Sequence, residues 1–438
     1  MRTFIDSTVF WAVLGASSIV KASPVTQESN GFLSLPVSRD IANQDHFLDR
    51  REETSAVLHD LLNSYSVQLE IGTPGQRVSV TIDTGSDMLW VNPKCSFYSS
   101  SQPSLCFGKV QYNTSASSTW RNLTKPFEQL YGLGGASGTF STDRIGIYGS
   151  KTVLNDVQFG VATNSSNQNL GVLGVGWGSN LGYKSFIDEL ASQKVTNSKA
   201  FSLSLGSRDN NESAIIFGGV DTKKFSGPLT TKPILPPQRG ETGDRYWIQL
   251  DSIGLSGGSY GTKTINKTSL PVIFDSGSTY HFLPDETNSQ IALSLGGNGK
   301  ISLNGGFQVP CDAQRSSVTM DFKFGDMTIR VPLRESIIPT GGKCYVASLT
   351  QEPRFKGLNI LGDNFLRSAY VVFDQDKRQI SLAQSANCGR NEQAITTAGA
   401  ADFFGECGGA RKNVAVTTSN SLSVLWGLAV VAATALCL

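Results

Sequence analysis

The chain has 438 residues and a formal net charge of +1, so its overall charge gives no reason to expect a nucleic-acid partner. It holds 45 glycines, and charged residues make up only 17% of it. The seven cysteines include no Cys-x-x-Cys pair, so neither a zinc site nor a thioredoxin-like redox centre is expected. We predict no metal and no cofactor.

The N-terminus has the pattern of a secretory signal peptide, predicted to cover residues 1–22. Arg2 supplies the positive charge, residues 8–20 form an apolar stretch, and Val20-Lys21-Ala22 is a small-residue cleavage site. The alternative is a buried first helix. Residues 23–51 are polar, weakly patterned and end in Arg50-Arg51, a dibasic pair that suggests a processing site. This segment is therefore predicted to be a pro-segment, with an ordinary solvated charge cluster as the alternative.

The body between Glu52 and Cys388 is too long for one ordinary core and suits two. Its apolar runs are short, alternate with a period of two and are bounded by turns, whereas the helix-like stretches are few: 183–194, 284–295 and 362–368. We predict an all-β, bilobal fold with an N-terminal lobe at 52–250 and a C-terminal lobe at 251–388.

Two acids in this body end similar apolar runs. Asp83 follows the run 78–82 and begins Asp-Thr-Gly-Ser, and VTIDTGS recurs as VIFDSGS at 272–278, which places Asp275 in the equivalent position. Leu170-Gly171-Val172-Leu173-Gly174 is likewise matched by Leu358-Asn359-Ile360-Leu361-Gly362, at nearly the same distance from the acid. The repeats predict a duplicated lobe with pseudo-two-fold symmetry and a central cleft. A lone buried carboxylate is costly, so Asp275 is the expected partner of Asp83.

The C-terminal region resembles a glycosylphosphatidylinositol anchor signal. Gly408-Gly409-Ala410 is a triplet of small residues, followed by a polar spacer and an uncharged apolar stretch at 422–438. We predict a tail at 389–408, removal of 409–438 and attachment at Gly408, or alternatively at Asn413. A tail-anchored membrane span is the other interpretation.

Cysteines and glycosylation sequons agree with secretion. If Cys437 leaves with the tail, six cysteines remain, and proximity suggests the pairs Cys95–Cys106, Cys311–Cys344 and Cys388–Cys407. Asn-x-Ser/Thr sequons are present at Asn113, Asn122, Asn164, Asn211 and Asn266.

Two adjacent carboxyls can hydrolyse an amide without a metal or a covalent intermediate. Like charges about 3 Å apart cannot both ionise, so one acid keeps a proton while the other deprotonates a water between them. Gly85 and Gly277 allow tight turns, and the hydroxyls of Ser86 and Ser278 can bond the outer carboxylate oxygens. Glycosidases also use two carboxylates, but at larger separations.

At these residues the sequence resembles the pepsin-like aspartic endopeptidases, over roughly residues 65–388. The motifs are Asp83-Thr84-Gly85-Ser86, Asp275-Ser276-Gly277-Ser278 and the signatures ending in Gly174 and Gly362. The resemblance implies peptide and protein substrates, catalysis by Asp83 and Asp275, bracing of the two loops by Thr84 and Ser276, and an acidic pH optimum. A monomer is expected.

The resemblance also implies a hairpin flap that closes over the substrate. Tyr131 is the expected flap tyrosine, Gly132 offers backbone hydrogen bonds to the peptide, and Trp90 is the hydrogen-bond neighbour of the tyrosine. The cysteine-bounded loop after the first motif and the Cys311–Cys344 pair resemble secreted yeast and yapsin-like enzymes. With the anchor signal, this indicates a fungal cell-surface enzyme.

Three positions depart from the family pattern. Asp87 stands where most members have Ser or Thr, and it either faces solvent or perturbs the titration of the dyad. Leu133 occupies a position that carries an acid in some fungal relatives that accept Lys or Arg, so an apolar P1 preference is expected. The acidic insertion of yapsins is absent between Cys95 and Cys106, which argues against paired-basic specificity.

His281 follows the second motif without any nucleophile motif, so we interpret it as a packed or pocket-wall histidine. The remaining functional alternative is a catalytically silent, wall-anchored binding or adhesion protein on the same fold. The presence of both aspartates, both supporting serines and the flap tyrosine favours the enzyme.

Overall fold

The computed structural model describes residues 31–41, 63–92, 111–132, 134–166, 168–208, 212–238, 240–258, 261–267, 269–302, 306–350 and 357–408. Within these ranges strands dominate, and none of the helices is long and apolar enough to cross a membrane. The all-β prediction is confirmed.

In the described ranges, the first half consists of strands and one regular helix. The strands are β1 (Leu33–Ile41), β2 (Asn63–Ile71), β3 (Gln76–Asp83), β4 (Leu89–Val91), β5 (Arg121–Leu130), β6 (Gly135–Ile147), β7 (Val153–Ser166), β8 (Gly171–Gly174), β9 (Ala200–Ser204), β10 (Ser213–Phe217), β11 (Gly219–Asp221), β12 (Phe225–Pro233) and β13 (Trp247–Leu250). Helix α1 (Phe186–Ser192) begins with a capping box formed by Ser185 and Asp188.

The part of the second half that the structure describes repeats this plan with shorter strands and three helices. The strands are β14 (Ser252–Ser256), β15 (Thr262–Asn266), β16 (Leu270–Phe274), β17 (His281–Phe282), β18 (Gly306–Val309), β19 (Thr319–Phe324), β20 (Met327–Pro332), β21 (Ile337–Thr340), β22 (Lys343–Leu349), β23 (Ile360–Leu361), β24 (Ala369–Asp374), β25 (Gln379–Ser385), β26 (Glu392–Ala394) and β27 (Phe404–Glu406). The helices are α2 (Asp285–Ser294), α3 (Leu333–Ser336) and α4 (Asp363–Leu366).

One long sheet runs through the molecule, and smaller sheets complete the second half. The long sheet has the order β27-β12-β25-β24-β9-β10-β1-β2-β3-β8-β4-β7-β6-β5. A second sheet runs β13-β16-β23-β17-β22-β18 with β21 beside β22, a third runs β15-β14-β19-β20, and β11 pairs with β26. Because β24 and β25 join β9 and β12 in the long sheet, strands from both ends of the chain hold the halves together.

Strand β1 lies within the segment predicted to be a pro-segment, where no strand was expected. Its first half pairs with β10 and its second half with β2. Leu33, Leu35 and Val37 are buried in the main core, and Ser34 between them bonds Glu392. The segment thus contributes a core strand, while processing after Arg51 stays a prediction that lies outside the described residues.

The predicted tail at 389–408 is folded against the body. Strand β26 pairs with β11, β27 pairs with β12, and Cys388 is bonded to Cys407. The Cys311–Cys344 disulfide is also present, so two of the three predicted pairings are confirmed. Cys95 and Cys106 lie outside the described residues. Gly408 is exposed, whereas Asn413 is not described.

Four of the five predicted sequons are described. Asn113, Asn122 and Asn164 are exposed, as glycosylation requires. Asn266 is partly buried, and its Nδ2, the atom that a glycan would modify, donates to Thr287 Oγ1 over 2.8 Å. Asn211 lies outside the described residues.

Candidate active site

The two acids stand at equivalent points of the two halves. Asp83 is the last residue of β3, which runs parallel to β8 with Asp83 opposite Gly174. Asp275 directly follows β16, which runs parallel to β23. Each acid therefore leaves a buried strand beside the second repeated signature, as the sequence repeats predicted. Both are buried, at 5% and 8% exposure, although one is a strand residue and the other begins a turn.

Each carboxyl receives the same two hydrogen bonds from its own loop. The Gly85 amide donates to Asp83 Oδ1 over 2.8 Å, and the Gly277 amide donates to Asp275 Oδ1 over 2.9 Å. Ser86 Oγ donates to Asp83 Oδ2, and Ser278 Oγ donates to Asp275 Oδ2 over 2.8 Å. These donors fix the carboxyl planes and satisfy oxygens that burial would otherwise leave unpaired.

The two loops approach each other so closely that only glycine fits after each threonine or serine. A Cβ atom on Gly85 would lie 2.6 Å from the Asp275 carboxyl carbon, and one on Gly277 would lie 2.6 Å from Asp83 Oδ1. Each glycine thus touches the acid of the opposite half. This crossed contact brings the two carboxyls together.

Thr84 and Ser276 brace the loops through four reciprocal hydrogen bonds. Thr84 Oγ1 donates to the Phe274 carbonyl over 2.7 Å and accepts from the Ser276 amide over 3.0 Å. Ser276 Oγ donates to the Ile82 carbonyl over 2.9 Å and accepts from the Thr84 amide over 3.2 Å. Both side chains are buried. The arrangement matches the bracing role that the family resemblance implied.

Burial and the neighbouring acid change the protonation of the pair. Burial, and next the negative charge of Asp275, raise the pKa of Asp83 to about 8, while the Ser86 hydroxyl opposes the shift. A proton is therefore retained between the two acids through the acidic and neutral range. Such a pair can act as acid and base together.

A hairpin of β5 and β6 carries the predicted flap residues over the first acid. Trp90 Nε1 donates to the Tyr131 hydroxyl over 2.6 Å, which is the contact predicted from the sequence. Burial, and then the charge of Asp83, raise the pKa of Tyr131, so its hydroxyl stays protonated. Gly132 is exposed beside it, and Leu133 lies outside the described residues.

An apolar cluster lies beneath this hairpin and beside the first acid. Tyr131 and Tyr183 pack against a set of mostly aromatic and small side chains: Met88, Trp90, Phe127, Ala136, Phe140, Ala162 and Val172. Phe140 contacts Phe127 and Tyr183 at ring-centroid distances of 5.4 and 5.3 Å. The cluster is therefore a packed apolar support for the hairpin.

The structure shows the surroundings of Asp87 and His281, the two titratable residues that follow the catalytic motifs. Asp87 does not face the dyad: it accepts hydrogen bonds from the Trp177 and Gly178 amides, and burial raises its pKa. His281 is buried, stacks edge-on against Phe322 and accepts a hydrogen bond from the Gly362 amide over 3.3 Å. Burial lowers the pKa of His281 to about 3, so it is a neutral packed histidine rather than a base.

A buried charged cluster behind the second loop was not anticipated. Arg367 is fully buried and pairs with Glu335 over 2.6 Å, while Arg208 contacts the same carboxylate over 3.2 Å. Asp363, which directly follows the second repeated glycine, is also buried, and burial raises its pKa well above the usual range. The position of Asp363 after Gly362 was the available sequence signal, but no local pattern linked it to Glu335.

Comparisons with known proteins agree with this geometry. The family model described as "Eukaryotic aspartyl protease" matches residues 64–385. A crystal structure of an aspartic proteinase from Irpex lacteus superposes with a TM-score of 0.61 at 20% sequence identity, and the match covers 81% of this chain and 98% of that one. At that identity the likeness supports the fold alone.

Curated fungal relatives extend the similarity beyond the fold. A probable aspartic-type endopeptidase OPSB of Arthroderma benhamiae is 33% identical, covering 80% of this chain and 74% of that protein. The aspartic proteinase yapsin-3 of Saccharomyces cerevisiae is 31% identical, covering 87% and 75% respectively. Candidapepsin-4 of Candida albicans is 33% identical, covering 76% and 79%.

Proposed function

Because this chain belongs to the eukaryotic aspartyl proteases and is an aspartic-type endopeptidase, we propose that it hydrolyses peptide bonds at acidic pH through Asp83 and Asp275. The observation that carries this proposal is the crossed packing of the two catalytic loops, in which each glycine contacts the acid of the other half. The matched amide and hydroxyl donors on both carboxyls support it.

The proposed reaction uses one proton shared by the dyad. The ionised carboxylate takes a proton from a water, whose oxygen attacks the scissile carbonyl carbon, while the protonated carboxyl donates to the carbonyl oxygen. The resulting tetrahedral diol collapses when its nitrogen is protonated and one hydroxyl proton returns to the dyad, which breaks the C–N bond. The raised pKa of Asp83 keeps the required proton in place below neutral pH.

We expect peptides with an apolar P1 side chain to be preferred. The sequence suggests this from Leu133, and the side chains that pack beneath the hairpin next to the first acid, including Phe127, Phe140 and Tyr183, are aromatic. A lysine or arginine bound there would lose its hydration without gaining an ion-pair partner within the cluster. Closure of the hairpin through Tyr131 and Gly132 would then exclude water from the scissile bond.

Secretion and surface attachment are part of the same proposal. The signal-like residues 1–22, the exposed sequons Asn113, Asn122 and Asn164, and the two disulfides fit an oxidising, secreted environment. The anchor-like C-terminal region fits attachment through a glycosylphosphatidylinositol, with processing after Arg51 producing the active form. We expect the enzyme to act as a monomer on peptide and protein substrates.

The proposal is tested by expressing residues 23–408 and assaying a mixed peptide library between pH 3 and 7, with and without pepstatin. Ending at 408 retains β27 and the Cys388–Cys407 disulfide. Pepstatin-sensitive cleavage with a low-pH optimum is the expected result, and the residues flanking the cut bonds report the P1 preference. Absence of cleavage by correctly processed protein would favour the silent binding protein instead.

A further inference from the structure

The first catalytic loop receives a hydrogen bond from a cation that lies 160 residues further along the chain. Arg245 Nη1 donates to the Gly85 carbonyl over 2.9 Å, two residues beyond the first acid. Gly85 is also the residue whose amide donates to Asp83 Oδ1. Both backbone polar groups of one glycine are therefore engaged, one by the acid and the other by the guanidinium.

Arg245 is itself held in place. Its Nε pairs with Glu241 Oε1 over 2.9 Å, and the second oxygen of Glu241 accepts from Trp247 Nε1 over 2.9 Å. Trp247 is fully buried and begins β13, which pairs with β16, the strand that leads to Asp275. A continuous set of hydrogen bonds therefore connects the strand next to the second acid with the loop of the first.

The adjacent residue fixes the same loop from another side. Tyr246 is buried, and its hydroxyl donates to the Val175 carbonyl over 2.9 Å. The Val175 amide in turn donates to the carbonyl of Asp83 over 2.9 Å. Positions 245 and 246 thus restrain the backbone of the first loop at two separate points.

The second loop lacks this arrangement. Among the described residues no side chain donates to the Gly277 carbonyl, although its amide makes the same bond to its acid as Gly85 does. The repeated sequence motifs therefore account for the hydrogen-bond donors to the two carboxyls, but not for the arginine that binds the Gly85 carbonyl. Since Gly85 has no side chain to pack, an external hydrogen bond restricts backbone freedom that glycine otherwise keeps.

We propose that Arg245 is a positioning residue for catalysis, which orients the Gly85 amide toward Asp83 through its hydrogen bond to the Gly85 carbonyl. The proposal rests on the proposed function of the dyad. Arg245 acts on catalysis through Gly85 and needs no contact with the substrate. The titratable groups that face Asp83 are Asp275, Tyr131 and Asp363, and those beside Arg245 are Glu241 and Asp87.

The test compares Arg245→Met, Arg245→Lys and Asp244→Asn with the unchanged protein of residues 23–408. Arg245→Met removes the hydrogen bond but retains most of the apolar stem, so we expect kcat to fall roughly tenfold with little change in KM. The alkaline limb of the kcat profile moves to higher pH, because an ionised Asp83 with a misaimed amide donor is less stable and the carboxyl keeps its proton longer. Arg245→Lys recovers part of the loss.

Asp244→Asn is the matched control. Asp244 is next to Arg245 in the chain, and its carboxylate accepts two hydrogen bonds from Arg378, over 2.7 and 3.1 Å. The substitution weakens these two bonds and leaves the contacts of the catalytic loop unchanged. Its kinetics should equal those of the unchanged protein, so a loss of the same size as in Arg245→Met would overturn the proposal in favour of general loosening of the segment.

The other outcomes are equally decisive. A normal kcat and pH profile in Arg245→Met would overturn the positioning role while leaving the proposed function intact. A raised KM for acidic peptides at unchanged kcat would overturn it in favour of direct substrate recognition. Failure of the unchanged protein to cleave any peptide would refute the proposed function itself, and the positioning role with it.

Discussion

The two catalytic loops are nearly identical in what touches their acids and very different in what lies behind them. Both acids receive one amide and one hydroxyl hydrogen bond, and both loops share the Thr84–Ser276 brace. Behind the first loop lie the flap hairpin and the Arg245 guanidinium, whereas behind the second lie Asp363 and the buried Arg367–Glu335 pair. The comparison shows that repeated motifs set the geometry of the dyad, while unrepeated neighbours set the electrostatic differences between its two sides.

The largest effect is expected from removing either acid. Asp83→Asn and Asp275→Asn should each reduce kcat by roughly a thousandfold or more, because the remaining acid cannot act as both base and acid. Circular dichroism should show an unchanged fold. Equal losses are expected despite the different surroundings. Substantial activity in one of the two variants would mean that the dyad does not work as a pair.

The buried cluster behind the second loop can be broken separately. Arg367→Met should lower the free energy of unfolding by about 3–5 kcal/mol, since Glu335 at 2% side-chain exposure loses its closest cation. Urea unfolding measures the change. The matched control is Arg330→Met, because the Arg330 side chain is 63% exposed and its 3.9 Å pair with Asp321 should contribute less than about 1 kcal/mol. Equal effects in both variants would contradict the importance of burial.

The reciprocal hydrogen bonds of Thr84 and Ser276 can be tested by comparing the stability of two variants. Thr84→Val and Ser276→Ala each remove a hydroxyl that donates to a carbonyl of the other half and accepts from an amide there. Each should cost about 2 kcal/mol of unfolding free energy, because buried backbone groups lose their partners. Denaturant unfolding at one fixed pH compares them. A difference of more than about 1 kcal/mol between the two variants would show that the brace is not reciprocal.

The smallest expected effect is the pH dependence of stability that Asp83 produces. The pKa of Asp83 is about 8 in the folded protein, above the ordinary value of 3.8, so the folded state retains a proton that the unfolded chain releases. The contribution of Asp83 to the stability of the unchanged protein therefore falls as pH rises from about 4 to 8. Asp83→Asn lacks this penalty, so its Tm relative to the unchanged protein should increase by a few degrees between pH 4 and pH 7. A constant Tm difference over that range would show that the Asp83 pKa is not raised.

The sequence predicted the parts of the site that repeat or that have local patterns. The dyad and its serine and glycine neighbours belong to short motifs, the Trp90–Tyr131 contact followed from the family resemblance, and the Cys388–Cys407 pairing followed from proximity along the chain. Strand β1 was missed, although Leu33, Leu35 and Val37 do alternate. Its stability depends on pairing with β10, about 180 residues away, which no local pattern indicates.

Arg245 and the Arg367–Glu335 pair were missed for a related reason. A single arginine in a turn or at a helix end looks like a solvated surface residue, which is where most arginines are found. Their partners, the Gly85 carbonyl and Glu335, are distant in sequence and become neighbours only in the folded structure. Predicting them requires the tertiary structure.

Strand β1 bridges β10 and β2 near the middle of the long sheet, and a cut after Arg51 would separate it from β2 along the chain without removing it from the sheet. The strand would then be a non-covalently bound peptide. Its dissociation would leave backbone amides and carbonyls of both neighbours unpaired and uncover the apolar surface beneath Leu33, Leu35 and Val37. Open strand edges of this kind pair readily with other chains, so loss of β1 would turn the enzyme into a template for strand exchange and aggregation.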